Sequence, residues 1–181
     1  MENLYLIYLG GKSNNSNIEY HDVMFCVGES IDETYPLIVK EAIGCIDSIH
    51  IDSYTIVKYI EGYKVIPTVF SQEKGQDSIK DKLYLWFVYL GGYEHNNILE
   101  SHQIVLVVSG SENEAKRRAK AKANHKFKMV HIDNIRKLSA IKYIDKQNVH
   151  ESKIWSINLE KDPLERSQGI MADWQGYKKL Y

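Results

Sequence analysis

The 181-residue chain has only 2 cysteines, 3 prolines and no long hydrophobic run. Each scarcity excludes something. Cys26 and Cys45 fit no paired metal-ligand spacing and no CxxC motif, so a disulfide scaffold and a zinc ribbon are out. The expectation is two free thiols in a reducing cytoplasm. Few prolines, 11 glycines and no biased tract exclude collagen-like and low-complexity chains. The longest apolar stretches, Leu4 to Leu9 and Leu83 to Leu90, fall far short of the roughly 20 residues of a membrane helix. Met1-Glu2-Asn3 has no basic leader character, so a secretory signal is not expected either. Net charge is also scarce, at −1, but that figure hides an asymmetry. Residues 1–75 hold 5 lysines against 11 acidic residues, a net of −6, and residues 76–181 carry 18 basic and 13 acidic residues, a net of +5. Halves of opposite sign can attract each other within one molecule or across a homodimer.

What the chain does have is itself, twice. Shifted by 81 residues it matches without a gap from Tyr8 to Asp52, with 14 identities in 45 positions. Tyr8-Leu9-Gly10-Gly11 falls on Tyr89-Leu90-Gly91-Gly92, Glu19-x-His21 on Glu100-x-His102, and His50-Ile51-Asp52 on His131-Ile132-Asp133. A period of this length marks a tandem duplication. The expected organisation is a first repeat over 1–70, a linker over 71–82, a second repeat over 83–160 and a docking tail over 161–181, where Trp174, Tyr177 and Tyr181 supply the aromatics.

Each repeat reads as β-β-α-β, with a further strand at Tyr63 to Phe70 and Lys153 to Glu160. The first strands, Leu4 to Leu9 and Leu83 to Leu90, are expected to end at a Gly-Gly turn. The second strands, Glu19 to Val27 and Glu100 to Val108, are apolar on both faces, as central strands are. Ser30 and Ser111, each with a Glu three residues on, predict helix starts, with helices over 31–43 and 112–124. Ala115, Ala119 and Ala123, matched by Thr34, Ile38 and Ala42, predict the buried stripe. The fold class is therefore α+β: two tandem repeats related by a pseudo-two-fold, mostly antiparallel, one helix per repeat on one sheet face. One continuous sheet and two facing sheets are both compatible with the pattern.

These residues resemble the bacterial domain of unknown function family 1543. The likeness rests on Tyr-Leu-Gly-Gly, on Glu-x-His-Asp-Val-x-Phe-x-Val-Gly-Glu-Ser from Glu19 to Ser30, on Thr34-Tyr35-Pro36 and on His50-Ile51-Asp52-Ser53-Tyr54. Leu85 to Tyr93 and Asp173-Trp174-Gln175-Gly176-Tyr177 resemble its second copy and tail. The resemblance implies a bacterial cytoplasmic protein and no assigned chemistry. Ser101-His102-Gln103 departs from Tyr20-His21-Asp22, so a site using Asp22 would be asymmetric.

Glu19 and His21 are two apart on a strand and share a face, as do His50 and Asp52. The second copy repeats this with Glu100, His102, His131 and Asp133. If the strands are neighbours, each repeat gathers two imidazoles and two carboxylates, the material of a ligand site or of acid–base catalysis by His21, His50, His102 or His131. The competing reading is that these pairs only cap a sheet edge or orient a turn. Gly10, Gly11, Gly91 and Gly92 join the candidate binding residues, because glycines admit close backbone approach. The same groups could also hold a divalent metal for metal-assisted chemistry, but without an HExxH-type signature the expectation is that no metal or other cofactor is held. The basic run Lys116-Arg117-Arg118-x-Lys120-x-Lys122 has no counterpart in the first copy. It reads as a solvated helix face or a contact with the acidic half, and nucleic acid is not expected as a partner. The leading expectation is a small-molecule or protein-binding module, beside an enzyme at the same groups and a purely structural protein.

Overall fold

The computed structural model describes residues 2–69, 82–145 and 148–180. Of the expected linker over 71–82, all but Lys82 lies outside the described residues, as do Phe70 of the expected first repeat and Tyr181 of the tail. The first half begins with an antiparallel hairpin of β1 (Asn3–Gly11) and β2 (Tyr20–Gly28). A 3₁₀ turn (Ile31–Thr34) leads into α1 (Tyr35–Glu41), and β3 (His50–Ile56) returns to pair with β1. The second half repeats this order with β6 (Tyr84–Tyr93), β7 (Glu100–Ser109), α2 (Glu112–Ala121) and β8 (Lys128–Lys137). Pairings recur at the same offset of 81 residues: Gly10 faces His21 and His50, and Gly91 faces His102 and His131. Val57 N–H donates to Leu4 O, and Leu138 N–H to Leu85 O, in the same relation.

The remaining strands join the halves. A hairpin of β4 (Tyr59–Ile60) and β5 (Tyr63–Val69) meets one of β9 (Ala140–Asp145) and β10 (Asn148–Lys161) in a shared four-stranded sheet, ordered β4-β5-β10-β9. The tail forms β11 (Trp174–Lys179), which adds to β3 and completes the order β11-β3-β1-β2, while β7-β6-β8 stays three-stranded. The arrangement thus combines facing sheets with a sheet the two halves build together.

Alternation along β1 and β6 explains the layers. Leu4 and Leu6 pack against Leu85 and Phe87 in the central core, where Phe25 meets Phe87 edge to face at 5.3 Å. Tyr5, Ile7 and Leu9 turn outward beneath Leu37 and Ile38 of α1, and Trp86, Val88 and Leu90 beneath Ala115 and Ala119 of α2. The small-residue stripe is buried as the spacing predicts, although Ala42 and Ala123 reach only its margin.

Four local expectations change. The second strands β2 and β7, expected to be central, lie at sheet edges, and β1 and β6 run between their neighbours. The strands do not stop at the glycines: Gly10, Gly11, Gly91 and Gly92 all lie inside the ladders of β1 and β6. The first helix is shorter than 31–43, because Pro36 fits only an α-helix's first turn and Gly44 takes a left-handed φ of 104° soon after the end. Ser111 Oγ accepts from Glu114 N–H as a cap should, but Ser30 makes no such bond, and Glu33 instead accepts from Glu29 N–H at 2.9 Å. No helix among the described residues is long and apolar enough to cross a membrane.

Candidate functional site

The two Glu-x-His and two His-x-Asp pairs do converge, and the ladder shows how. β1 lies between β2 and β3, so Gly10 has His21 on one side and His50 on the other, all on the face turned toward the second half. In β3 the register slips between the Tyr8–Ser53 and Leu9–Ile51 pairs, leaving Asp52 as an extra residue. In β8 it slips at the same place, between Tyr89–Asn134 and Leu90–Ile132, leaving Asp133. A bulge of this kind re-aims the side chain it frees. Glu19 and Glu100, at the start of the second strands, complete each group.

In the first quartet His50 Nε2 lies 2.6 Å from Glu19 Oε1 and 3.2 Å from Asp52 Oδ1, with His21 Nε2 3.4 Å from Asp52 Oδ2. In the second, His131 Nε2 is 2.8 Å from Glu100 and 2.9 Å from Asp133, and His102 Nε2 is 3.5 Å from each carboxylate. Each pair of carboxylates is therefore shared by two imidazoles. The roles of the two histidines differ. His50 Nδ1 sits 2.8 Å from Ser48 O and His131 Nδ1 3.3 Å from Met129 O. A carbonyl only accepts, so Nδ1 carries the proton and donates, which aims Nε2 at the carboxylates. His21 and His102 instead stack on Tyr8 and Tyr89 at 5.1 and 4.9 Å, nearly parallel.

Gly10 and Gly91 are required here by space rather than by turning. A Cβ at Gly91 would stand 2.6 Å from His131 Nε2 and Asp133 Oδ2 and 2.8 Å from Glu100 Oε1, and one at Gly10 would collide with Glu19 and His50. Gly11 and Gly92 make room for the rings of Tyr20 and Phe127 and stand apart from the quartets. Asp22 also lies outside, capping its own next N–H at 2.7 Å, while Gln103 holds Lys122 O and Asn124 N–H. The sequence departure at these two positions leaves both quartets intact.

Burial pushes the Asp52 carboxyl above its ordinary value, against the downward pull of His50 and His21. The same effect, helped by the facing Tyr8 and by Asp133, pushes the Tyr89 hydroxyl up to about 12. Tyr8 and Tyr89 stand in the cleft between the sheets. On one side of them a cleft of about 680 Å³ is bounded by His102, Gln103, Lys122 and the tail residues Gln168 to Ile170. On the other a smaller recess of about 110 Å³ reaches His21 and Arg136.

Three side chains and two backbone carbonyls beside the quartets were not among the candidates from sequence. Tyr8 and Tyr89 sat in the repeated Tyr-Leu-Gly-Gly motif and could have been found there. Tyr177 was read only as a docking aromatic, but its ring centroid lies 4.0 Å from that of His50. The Ser48 and Met129 carbonyls are backbone groups with no side-chain signal. The tail makes the quartets unequal: the His50 side chain is 3% exposed and that of His131 44%.

Cys26 is buried, its thiol pushed up to about 12 by desolvation, and Cys45 donates to Asn14 Oδ1 at 3.1 Å. Both are free, and neither touches a quartet. Four of the five cations of the basic run form ion pairs: Lys116 with Glu112, Arg117 with Glu114, and Arg118 and Lys122 with Glu61 of the first half.

No curated protein matches the chain. Among solved structures, the crystal structure of protein Il1583 from Idiomarina loihiensis is similar over 100% of this chain and 99% of that one, with 27% identity and a TM-score of 0.70. The profile of the Domain of Unknown Function (DUF1543) matches residues 16–66 and 97–150, two segments that each carry one complete quartet, and the chain belongs to that family.

Proposed function

We propose that the protein is a binding module for a small molecule, seated where the two quartets meet the tyrosine-lined cleft. The observation that carries this reading is the repeated convergence of Glu, His, His and Asp around a glycine that no other residue can replace without displacing them. A cluster that served only to hold the sheet would satisfy its own polar atoms. Here the buried Asp52 Oδ2 and Glu100 Oε1 have imidazole nitrogens beside them, at 3.4 and 2.8 Å, but no contact of hydrogen-bond geometry. The cleft walls combine the rings of Tyr8 and Tyr89 with polar groups of His102 and Gln103, which suits a ligand with a flat apolar part and hydrogen-bonding edges.

Acid–base catalysis is the second reading, favoured by one observation. His21 and His102 keep side-chain exposures of 41% and 35%, so a substrate can reach them, while their neighbouring histidines are tied to backbone.

Both readings require ligand contact at the imidazoles. Titration with heteroaromatic fragments, followed by the imidazole NMR signals of His21 and His102, tests them together with native mass spectrometry of protein purified without additives. Saturable shifts, or an adduct lost in H21A/H102A, are expected. Silent imidazole signals and a bare protein mass would refute the binding reading.

A further inference from the structure

Four kinds of observation bear on the quartets; all four meet in the second, and in the first the histidine backed by a carbonyl, His50, is not the one grouped with Glu19 and Asp52. The donors are two imidazole nitrogens and two carboxylates, a set suited to first-row divalent ions. Donor atoms of Glu19, His21 and Asp52, and of Glu100, His131 and Asp133, lie within 4.8 Å of one another. Ion–ligand bonds of about 2.1 Å put neighbouring donors roughly 3.0–3.4 Å apart. In the second quartet His131 Nε2 lies 2.8 and 2.9 Å from Glu100 Oε1 and Asp133 Oδ1, just inside that spacing, and His102 Nε2 stands 3.5 Å from the other oxygen of each carboxylate. The backbone carbonyl behind Nδ1 is the outer partner that fixes a ligating histidine's tautomer.

The fourth observation is a charge problem. With Nδ1 protonated, a neutral His131 turns a lone pair toward two carboxylate oxygens, which repels. A proton on Nε2 points along one axis and serves one oxygen, yet both lie under 3 Å away and Glu100 Oε1 forms no hydrogen bond. A single dication at the point of convergence accepts the lone pair and both carboxylates and cancels their two charges.

We infer that each quartet binds one divalent transition-metal ion of the zinc class, at Glu19, His21 and Asp52 in the first half and at Glu100, His131 and Asp133 in the second. This rests on reading the quartets as the ligand site, and it takes up the divalent metal that the same groups admit in sequence, against the expectation that none is held. The ligands come from two strands that flank a third, β2 and β3 about β1 and β7 and β8 about β6, and a bulge brings them together, a pattern that no local spacing rule detects.

The test is Co²⁺ and Zn²⁺ titration of the chelator-stripped full chain, followed by calorimetry, visible absorption of the cobalt form and native mass spectrometry. Two ions per chain are expected. E100Q/D133N and E19Q/D52N keep side-chain shape while removing charge, and each is expected to lose one ion. Affinity at the altered site should fall by more than the roughly 10–100-fold that losing an outer-shell partner costs. Circular dichroism confirms that the variants fold. No uptake, or uptake that survives in the fourfold variant at exposed groups, would overturn the inference. Imidazole shifts with heteroaromatic fragments in the stripped protein would then still uphold the small-molecule reading, whereas silence in both experiments would remove both.

Discussion

A Cβ is the smallest addition a protein can receive, and at Gly10 it meets Glu19 Oε1 and both His50 Nε2 and Cε1. Alanine at a strand glycine normally stabilises by about 0.4–1 kcal/mol through the unfolded chain. Forcing atoms into a packed site costs about 1–3 kcal/mol, so the collision wins. G10A and G91A should each lower stability in urea by about 1–2 kcal/mol, whereas G169A, with nothing within 4 Å of its added carbon, should change it by less than about 0.5 kcal/mol. Equal losses at all three positions would contradict the argument. The tail has a residue-scale test of another kind. Asp162 is 3% exposed and accepts from Arg166 N–H, Nε and Nη2, which holds its carboxyl well below the usual range. A depressed folded pKa contributes stability that is complete above the unfolded value of about 3.9 and is lost as pH falls below it. D162N should therefore lose stability at neutral pH and flatten the acid limb of the profile. At this scale the candidate side chains were legible, because duplication marked all eight. The glycines were legible in position but not in role, since a turn and a crowded strand centre ask for the same residue.

At the scale of the element, the tail strand is what separates two otherwise matching halves. Asp173 Oδ2 accepts from Ile56 N–H at 2.7 Å, Gln168 binds Lys58 N–H and Ile56 O, and Trp174 stacks on Tyr54 at 5.9 Å. These contacts lay β11 on β3 and bring Tyr177 over His50, while β8 has no equivalent neighbour among the described residues. Y177A should speed deuterium exchange at His50 Cε1 toward the rate of His131, read by mass spectrometry, and leave His131 unchanged. An unaltered His50 rate would show that Tyr177 is not the cover. The aromatic tail was legible as a docking segment, but its destination was not, because β3 and β8 offer equivalent edges in sequence. Helix boundaries were read too generously for a related reason. Ser30 and Ser111 carry the same capping signal, yet only Ser111 can use it, because Pro36 sets where the first α-helix begins.

For the whole molecule, the opposite net charges of the two halves find their use between them. Glu61, in the β4–β5 turn, reaches into the second half, where its carboxylate accepts from Val108 N–H at 2.7 Å, Arg118 at 2.8 Å and Lys122. Eighty-one residues on, Lys142 reaches back to Glu41 of the first helix at 3.0 Å. Positions 41 and 122 are equivalents, as are 61 and 142, so one contact occurs twice with its charges exchanged. That reciprocity sets part of the first half's acidic excess against part of the second half's basic excess. It was visible in sequence as an imbalance, and as one of two possibilities for what the basic helix touches. The pairing itself was not visible, because it depends on β5 and β10 joining in one sheet across a separation of about 90 residues. The two contacts differ in burial, and burial ranks their effects. Glu61 is 15% exposed and leaves an amide and a guanidinium without their acceptor when removed, so E61A should cost about 1–3 kcal/mol in urea. E61Q keeps an oxygen for Val108 N–H and should cost less. Lys142 is 64% exposed, so K142A should cost under about 0.5 kcal/mol, an effect that 0.5 M salt erases. If the halves fold as one unit through these contacts and the shared core, E61A shifts a single transition. A second transition appearing in E61A, with one half's signals surviving the other's, would show that each half holds its fold alone.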